Sequence, residues 1–181
     1  MQHSASIVVR RFLTLSSLAA ALAAQSAALP AVPEKLRPSS GEVLSLEARA
    51  RGVQVYKCDY SKTDATRFDW VLTGPDAVLI DGTGRTIGRH YAGPTWESTD
   101  GSKVSAEAVA RDDGPDAGSI PWLLLKARST SGSGVFGRTT SIQRAFTLRG
   151  KPPAEACGPE RFGQEARMPY RATYFFYAAR P

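Results

Sequence analysis

A succession of short β-type segments dominates the 181-residue sequence. Gly, Pro and Asp turns separate these segments roughly every 8 to 15 residues, and no stretch keeps a helical periodicity over about three turns. Segments of this kind must pair with one another in stacked sheets or in a closed ring. The pattern therefore predicts an all-β fold, an antiparallel sandwich or a closed barrel of about nine or ten short strands.

The expected strands share alternation or aromatic enrichment and lie at 44–48, 53–56, 68–72, 78–80, 85–90, 104–110, 120–127, 140–147 and 170–177. The clearest hairpin surrounds the turn 81–84, because its Asp-Gly pair supplies the positive φ that tight hairpin turns require. Residues 120–127 are nearly all apolar, which predicts a strand covered on both faces.

The first 28 residues have the order of features found in a secretory signal peptide. Arg10 and Arg11 supply the positive charge, residues 12–24 are mildly apolar, and small residues follow. The apolar part is shorter than the about 20 residues that span a bilayer, so we predict no integral membrane segment after signal removal. Residues 29–40 are expected to be an extended, proline-containing segment, and residues 41–181 a single β domain. The mature protein is expected in the periplasm or outside the cell.

Charge and composition limit the classes of partner. The chain has a formal net charge of +6, but its basic residues are scattered singly or in loose pairs. Such a distribution lacks the basic run or stripe of a nucleic-acid footprint, and we predict no nucleic-acid partner. Apolar residues make up 42% of the chain and charged residues 22%, a balance that permits a buried core and excludes a disordered chain.

Cys58 and Cys157 are the two cysteines of the chain. Cysteines of an exported protein tend to be oxidised in pairs, so we predict a disulfide between them. Two free buried thiols or a redox pair are the alternatives, but the Cys-x-x-Cys spacing typical of redox pairs is missing.

His90 is the one histidine that remains after signal removal, and Glu97 and Asp100 follow it closely in the sequence. Such a group could serve as a general base with an orienting carboxylate. The alternative is a histidine and a carboxylate that hold a loop by hydrogen bonds. Because zinc sites usually draw on several His or Cys ligands, we predict neither a metal site nor a cofactor.

The aromatic residues Tyr91, Trp96 and Trp122 are candidates for lining a binding groove. Small β-sandwiches and barrels often bind small molecules or sugars in this way. We therefore predict a small-molecule or carbohydrate binding module. The alternative is a metal-dependent or histidine–carboxylate hydrolase that uses His90 with Glu97 and Asp100.

Several longer motifs carry a family resemblance, and they lie at 52–58 (GVQVYKC), 90–97 (HYAGPTWE), 120–124 (IPWLL), 142–144 (IQR) and 170–177 (YRATYFFY). Over residues 41–177 the chain resembles the exported family known as domain of unknown function 3455. The resemblance implies export and a shared fold but no activity. The family's Asn-Thr and paired glycines after the Gln-Arg motif are replaced here by Phe146-Thr147 and the single Gly150.

Overall fold

The computed structural model describes residues 31–181. Eight antiparallel strands, each hydrogen-bonded to its neighbours in chain order, form one closed barrel. The strands are β1 (Glu42–Tyr60), β2 (Phe68–Ile80), β3 (Thr86–Tyr91), β4 (Thr95–Ser98), β5 (Lys103–Asp112), β6 (Trp122–Ser131), β7 (Thr139–Arg149) and β8 (Glu165–Ala179). Two 3-10 turns, Glu34–Leu36 and Pro159–Arg161, complete the regular structure of this range. No helix among residues 31–181 is long and apolar enough to cross a membrane. The predicted signal peptide lies outside the described residues.

The all-β prediction is confirmed in its closed-barrel form, but the strand count of nine or ten is wrong. The segments 44–48 and 53–56 belong to one strand of 19 residues. Gly52 does not interrupt it, because the missing side chain lets β2 approach closely: a Cβ there would lie 2.1 Å from the Asp76 carbonyl oxygen. Likewise β2 runs through Gly74 and Pro75, which follow a bulge at Thr73 of β2 itself.

The barrel interior is filled by large aromatic side chains opposite small ones. Trp96, Tyr174 and Phe176 are at most 1% exposed, and they pack in one cluster with Ala48 and Ala50 of β1. Eight strands enclose a space just wide enough for side chains or for one small ligand. The main core therefore lies inside the ring.

A second apolar cluster lies on the outside of the barrel, beneath the segment 31–40. Leu36 of this segment is 1% exposed and packs in a cluster with Trp122 and Tyr177. The Leu36 carbonyl accepts a hydrogen bond from the Gln143 side-chain amide. The segment expected to be extended thus contains a 3-10 turn and covers the outer face of β6. As predicted, β6 is apolar on both faces, since Leu125 points into the interior cluster.

The predicted disulfide between Cys58 and Cys157 is confirmed, with a Cα–Cα distance of 5.5 Å. It links the end of β1 to the long connection between β7 and β8. Two backbone hydrogen bonds join the same parts of the chain: Cys58 N–H donates to Gln164 O, and Gly163 N–H donates to Cys58 O. The connection is therefore held firmly against one end of the barrel.

A candidate ligand-binding site in the barrel wall

His90 lies inside the barrel and is 3% exposed. Its ring stacks on Trp96, with ring centroids 4.1 Å apart, and meets the edge of Tyr174 at 5.1 Å. The Nδ1–H of His90 donates to the backbone carbonyl of Thr95 at 2.9 Å, because a carbonyl oxygen can only accept. Burial lowers the pKa of His90 to about 3. The imidazole is therefore neutral at physiological pH and bonded across the β3–β4 turn.

Glu97 points away from His90, to the outer face of the barrel. Its Oε2 accepts hydrogen bonds from the Arg89 guanidinium and the Tyr91 hydroxyl, both at 2.9 Å. Lys103 forms an ion pair with Oε1 at 3.4 Å. The hydrogen bonds from Arg89 and then from Tyr91 hold the pKa of Glu97 below its usual range. The carboxylate is thus engaged by surface partners and not by the histidine.

Asp100 lies in the turn between β4 and β5 and binds the loop between β6 and β7. It accepts hydrogen bonds from the Ser102 hydroxyl at 2.6 Å and from the Val135 backbone N–H at 2.9 Å. The Ser102 hydroxyl and these backbone donors hold the pKa of Asp100 at about 2. The structure therefore does not bring His90, Glu97 and Asp100 together into one site.

The three aromatic candidates for a groove lie in three different environments. Tyr91 is on the outer surface, with the Arg89 guanidinium 5.1 Å from its ring centroid. Trp96 is buried in the interior and is 1% exposed. Trp122 lies on the outside, covered in part by Leu36. These side chains do not line a common groove.

The barrel wall is incomplete between β2 and β5 at one end of the molecule. Because β3 and β4 are short, β3 pairs with β2 only over Asp76–Ile80, and β4 pairs with β5 only over Lys103–Ser105. Among the described residues, 68–75 of β2 therefore pair only with β1, and 107–112 of β5 pair only with β6. We call the space between these two strand edges the wall opening.

A pocket of about 500 Å³ lies in the wall opening, within the range of small-molecule sites. Leu72 of β2 and Val109 of β5 form its two edges, and Gln54, Tyr56 and Arg144 contribute the polar groups toward the interior. The remaining lining is mostly apolar, and no acidic side chain of the described residues takes part. The pocket thus combines apolar walls with a positive charge.

Arg144 is the charged group of the pocket that points into the barrel, since it lies between the inward-facing Tyr174 and Leu123 in the sheet. Its Nε and Nη2 donate to the Pro121 carbonyl at 3.1 and 2.9 Å. No carboxylate of residues 31–181 lies within ion-pair distance. Burial and, to a smaller extent, this positive charge lower the pKa of His90. The guanidinium charge is not neutralised by the fold.

Gln54 is 2% exposed, and its side-chain Nε2 has no hydrogen-bond partner among the described residues. The neighbouring Tyr56 hydroxyl donates to the Gly150 carbonyl at 2.8 Å. An unsatisfied buried donor costs about 1–3 kcal/mol, so each such group calls for an explanation. A bound molecule with acceptor atoms would supply one for Gln54.

The sequence reasoning missed Gln54 and Arg144. Val53 and Val55 are only half-buried, whereas Gln54 and Tyr56 point inward, the reverse of the usual apolar-in alternation. The signal that could have found them is strand parity. If β1 is continuous, the inward positions of Ala48 and Ala50 continue to 54 and 56.

The fold and the pocket define a small, disulfide-linked, all-β barrel domain with a lateral opening. The chain belongs to the family described as protein of unknown function (DUF3455), whose match covers residues 38–178. The resemblance seen in the sequence motifs is thereby confirmed. Neither a curated protein nor a solved structure matches the chain.

Proposed function

We propose that this protein binds a small molecule with an apolar body and an anionic group, such as a carboxylate, in the pocket of the wall opening. The observation that carries the proposal is the un-neutralised Arg144 guanidinium beside the unpartnered Gln54 amide, both on the polar side of one pocket. Both groups are donors, so the ligand must present acceptors. A charge-assisted hydrogen bond from arginine to a carboxylate is among the stronger polar contacts in proteins.

The apolar part of the ligand would lie between Leu72 and Val109. Both side chains are large and about half exposed, at 45% and 54%, and a ligand that covered them would gain from the removal of apolar surface from water. The proposal keeps the predicted binding module and narrows its ligand to an acid with an apolar body. A sugar is less well matched, because the aromatic surfaces of Trp96 and Trp122 are buried.

The hydrolase alternative draws no support from the arrangement of its three residues. His90 donates to a backbone carbonyl, while Glu97 and Asp100 are held by other partners. We therefore keep the binding function as the proposal.

Export also remains a proposal. The Cys58–Cys157 disulfide fits an oxidising compartment such as the periplasm or the extracellular space. The predicted signal peptide at residues 1–28 points to the same destination.

Thermal shift and calorimetry with a panel of aromatic and medium-chain carboxylic acids test the binding proposal, with the methyl ester of each acid as the uncharged control. A ligand at about 100 times its Kd stabilises the folded state by about 2.7 kcal/mol, or roughly 5–10 °C in a domain of this size. We expect acids and not esters to produce the shift. Arg144→Gln should abolish it, and Gln54→Leu should weaken it.

Arg111→Gln is the matched control, since Arg111 borders the same pocket but is paired with Asp113 at 2.9 Å. It should retain acid binding within about twofold, as expected for the loss of an exposed ion pair. Equal binding of an acid to the wild type and to Arg144→Gln would contradict the proposal. So would the absence of a shift with every acid of the panel.

A further inference from the structure

Four arginines that are dispersed in the sequence lie close together, three of them on the outer face of the sheet and Arg149 beside them at the end of β7. They are Arg49 and Arg51 of β1, Arg149 of β7 and Arg171 of β8, and all four are exposed. Arg51 lies directly opposite Arg171 in the β1–β8 ladder, and Arg171 lies opposite Leu148 in the β7–β8 ladder. Loose pairs in the sequence thus become one continuous positive surface, which we call the arginine face.

The fold does not neutralise the arginine face. None of the four side chains forms an ion pair or a side-chain hydrogen bond within residues 31–181. Glu47 is on the same face of β1, two residues from Arg49, but does not reach ion-pair distance. Like charges directly opposite each other in a sheet are destabilising. The Arg51–Arg171 contact therefore costs stability, since neither arginine has a carboxylate of residues 31–181 within ion-pair distance.

Exposed apolar side chains lie among these arginines. Val78 is opposite Arg51 and is 38% exposed, while Phe146 and Leu148 are 45% and 52% exposed. A bulge in β7 between Ala145 and Leu148 places Phe146 at φ 50°, and the bulged stretch presents both Phe146 and Leu148 to solvent. The arginine face is accordingly both cationic and apolar.

The arginine face contains two shallow concavities in addition to its exposed charges. One, of about 450 Å³, is bordered by Arg51, Arg149 and Arg171. The other, of about 380 Å³, is bordered by Arg49, Phe146 and Arg171. Leu148 borders both. Each concavity therefore offers guanidinium groups beside an apolar wall.

We propose that the arginine face docks the protein on an anionic lipid surface. Arginine forks match the oxygen atoms of lipid phosphates, and basic side chains are attracted to the negative surface of such membranes. A hydrated polyanion in solution would use the arginines but gain nothing from Phe146 and Leu148. A lipid surface uses both, because apolar side chains enter the boundary between headgroups and acyl chains. This surface is separate from the wall opening and does not depend on the proposed ligand.

Vesicle sedimentation with the full chain tests the proposal, using phosphatidylcholine vesicles with and without phosphatidylglycerol at physiological salt. Each basic residue near an anionic surface contributes roughly fivefold to affinity, so the double variant Arg51→Gln, Arg171→Gln should bind about 25-fold more weakly. Loss of the like-charge contact should leave its melting temperature unchanged or higher. Leu148→Ser should weaken binding severalfold.

The double variant Arg37→Gln, Arg138→Gln is the matched control, since it removes two exposed charges elsewhere. It should bind vesicles within about threefold of the wild-type affinity. The small loss that we allow for comes from the weaker long-range attraction between the protein and the anionic vesicle. Every protein in the comparison shares residues 1–28, so a difference between variants reports the arginine face. Arg144→Gln should bind vesicles like the wild type, which separates this proposal from the binding pocket.

Two results would overturn the proposal. One is equal vesicle binding by the arginine-face variant and its matched control. The other is tight binding of a soluble polyanion such as heparin with no preference for anionic vesicles and no effect of Leu148→Ser, which would assign the surface to a polysaccharide-like partner instead.

Discussion

At the scale of single residues, neighbours in the sequence of this protein often face opposite sides of the barrel wall. Trp96 is buried in the interior, whereas Glu97, the next residue, is bonded to Arg89 on the surface. In a strand, successive side chains point to opposite faces. The sequence cluster around His90 therefore divides into an interior group and a surface group, and a local motif could not reveal this without the register of β3 and β4.

The burial of His90 predicts a pH dependence of stability. Its pKa of about 3 in the folded protein lies below the ordinary value of 6.5, so the unfolded chain takes up the proton first as the pH falls. The stabilisation is complete above pH 6.5 and is lost as the pH falls toward 3. We expect the free energy of unfolding to decrease by about 2 kcal/mol from this group between pH 7 and pH 5.

Urea unfolding of the wild type and His90→Gln at pH 7, 6 and 5 measures this contribution. Glutamine keeps a donor for the Thr95 carbonyl but does not titrate. The interval lies above the ordinary pKa of 3.8 at which Asp81 and Asp100 take up protons in the unfolded chain, so their contribution to stability stays almost constant. A variant whose stability falls with pH as steeply as that of the wild type would rule out this origin.

At the scale of elements, the sequence predicted the strands well where alternation and turn residues agree. The hairpin around 81–84 appears as expected, with β3 following the turn. The expected strands 44–48, 53–56, 68–72 and 78–80 leave out Gly52 and Gly74, since glycine usually interrupts strands. Both instead lie within long strands, where the approach of another chain segment requires the absence of a side chain. Such an approach depends on tertiary contacts, which a single sequence does not contain.

The segment 31–40 behaves as a covering element whose attachment depends on Leu36. Leu36→Ala removes an apolar side chain that is 1% exposed, and changes of this kind cost about 2–5 kcal/mol. We expect the segment to detach while the barrel remains folded. Trp122 emission should shift to the red, and limited proteolysis should cleave within 31–40.

The matched control for the covering segment is Val135→Ala, because Val135 is 48% exposed in the loop between β6 and β7. It should leave emission and proteolysis unchanged. Cooperative loss of the barrel signal in circular dichroism together with the emission shift would show instead that the segment and the barrel unfold as one unit.

At the scale of the whole molecule, the candidate pocket follows from an imbalance of strand lengths around the ring. β1 has 19 residues and β8 has 15, whereas β3 has 6 and β4 has 4. Because β3 and β4 are shorter than the strands on either side of them, the wall has a gap between β2 and β5 beyond the ends of these two strands. Composition and alternation predicted a closed barrel among the possible folds, but the gap, and with it the role of Arg144, depends on how far each ladder extends.

The disulfide should stabilise the whole molecule, because it closes a loop that contains most of the barrel. Cys58 and Cys157 are 99 positions apart, and cross-links of this kind typically contribute about 2–4 kcal/mol, largely by restricting the unfolded chain. We expect the double variant Cys58→Ala, Cys157→Ala to lose stability of this order in guanidinium unfolding at pH 7. Its folded state should keep the β7–β8 connection in place through the backbone hydrogen bonds of residues 58, 163 and 164. A thiol assay of the denatured wild type should find no free thiol. Two free thiols, or a double variant as stable as the wild type, would show that the barrel does not rely on this cross-link and that its ladders and buried core suffice to hold the ring closed.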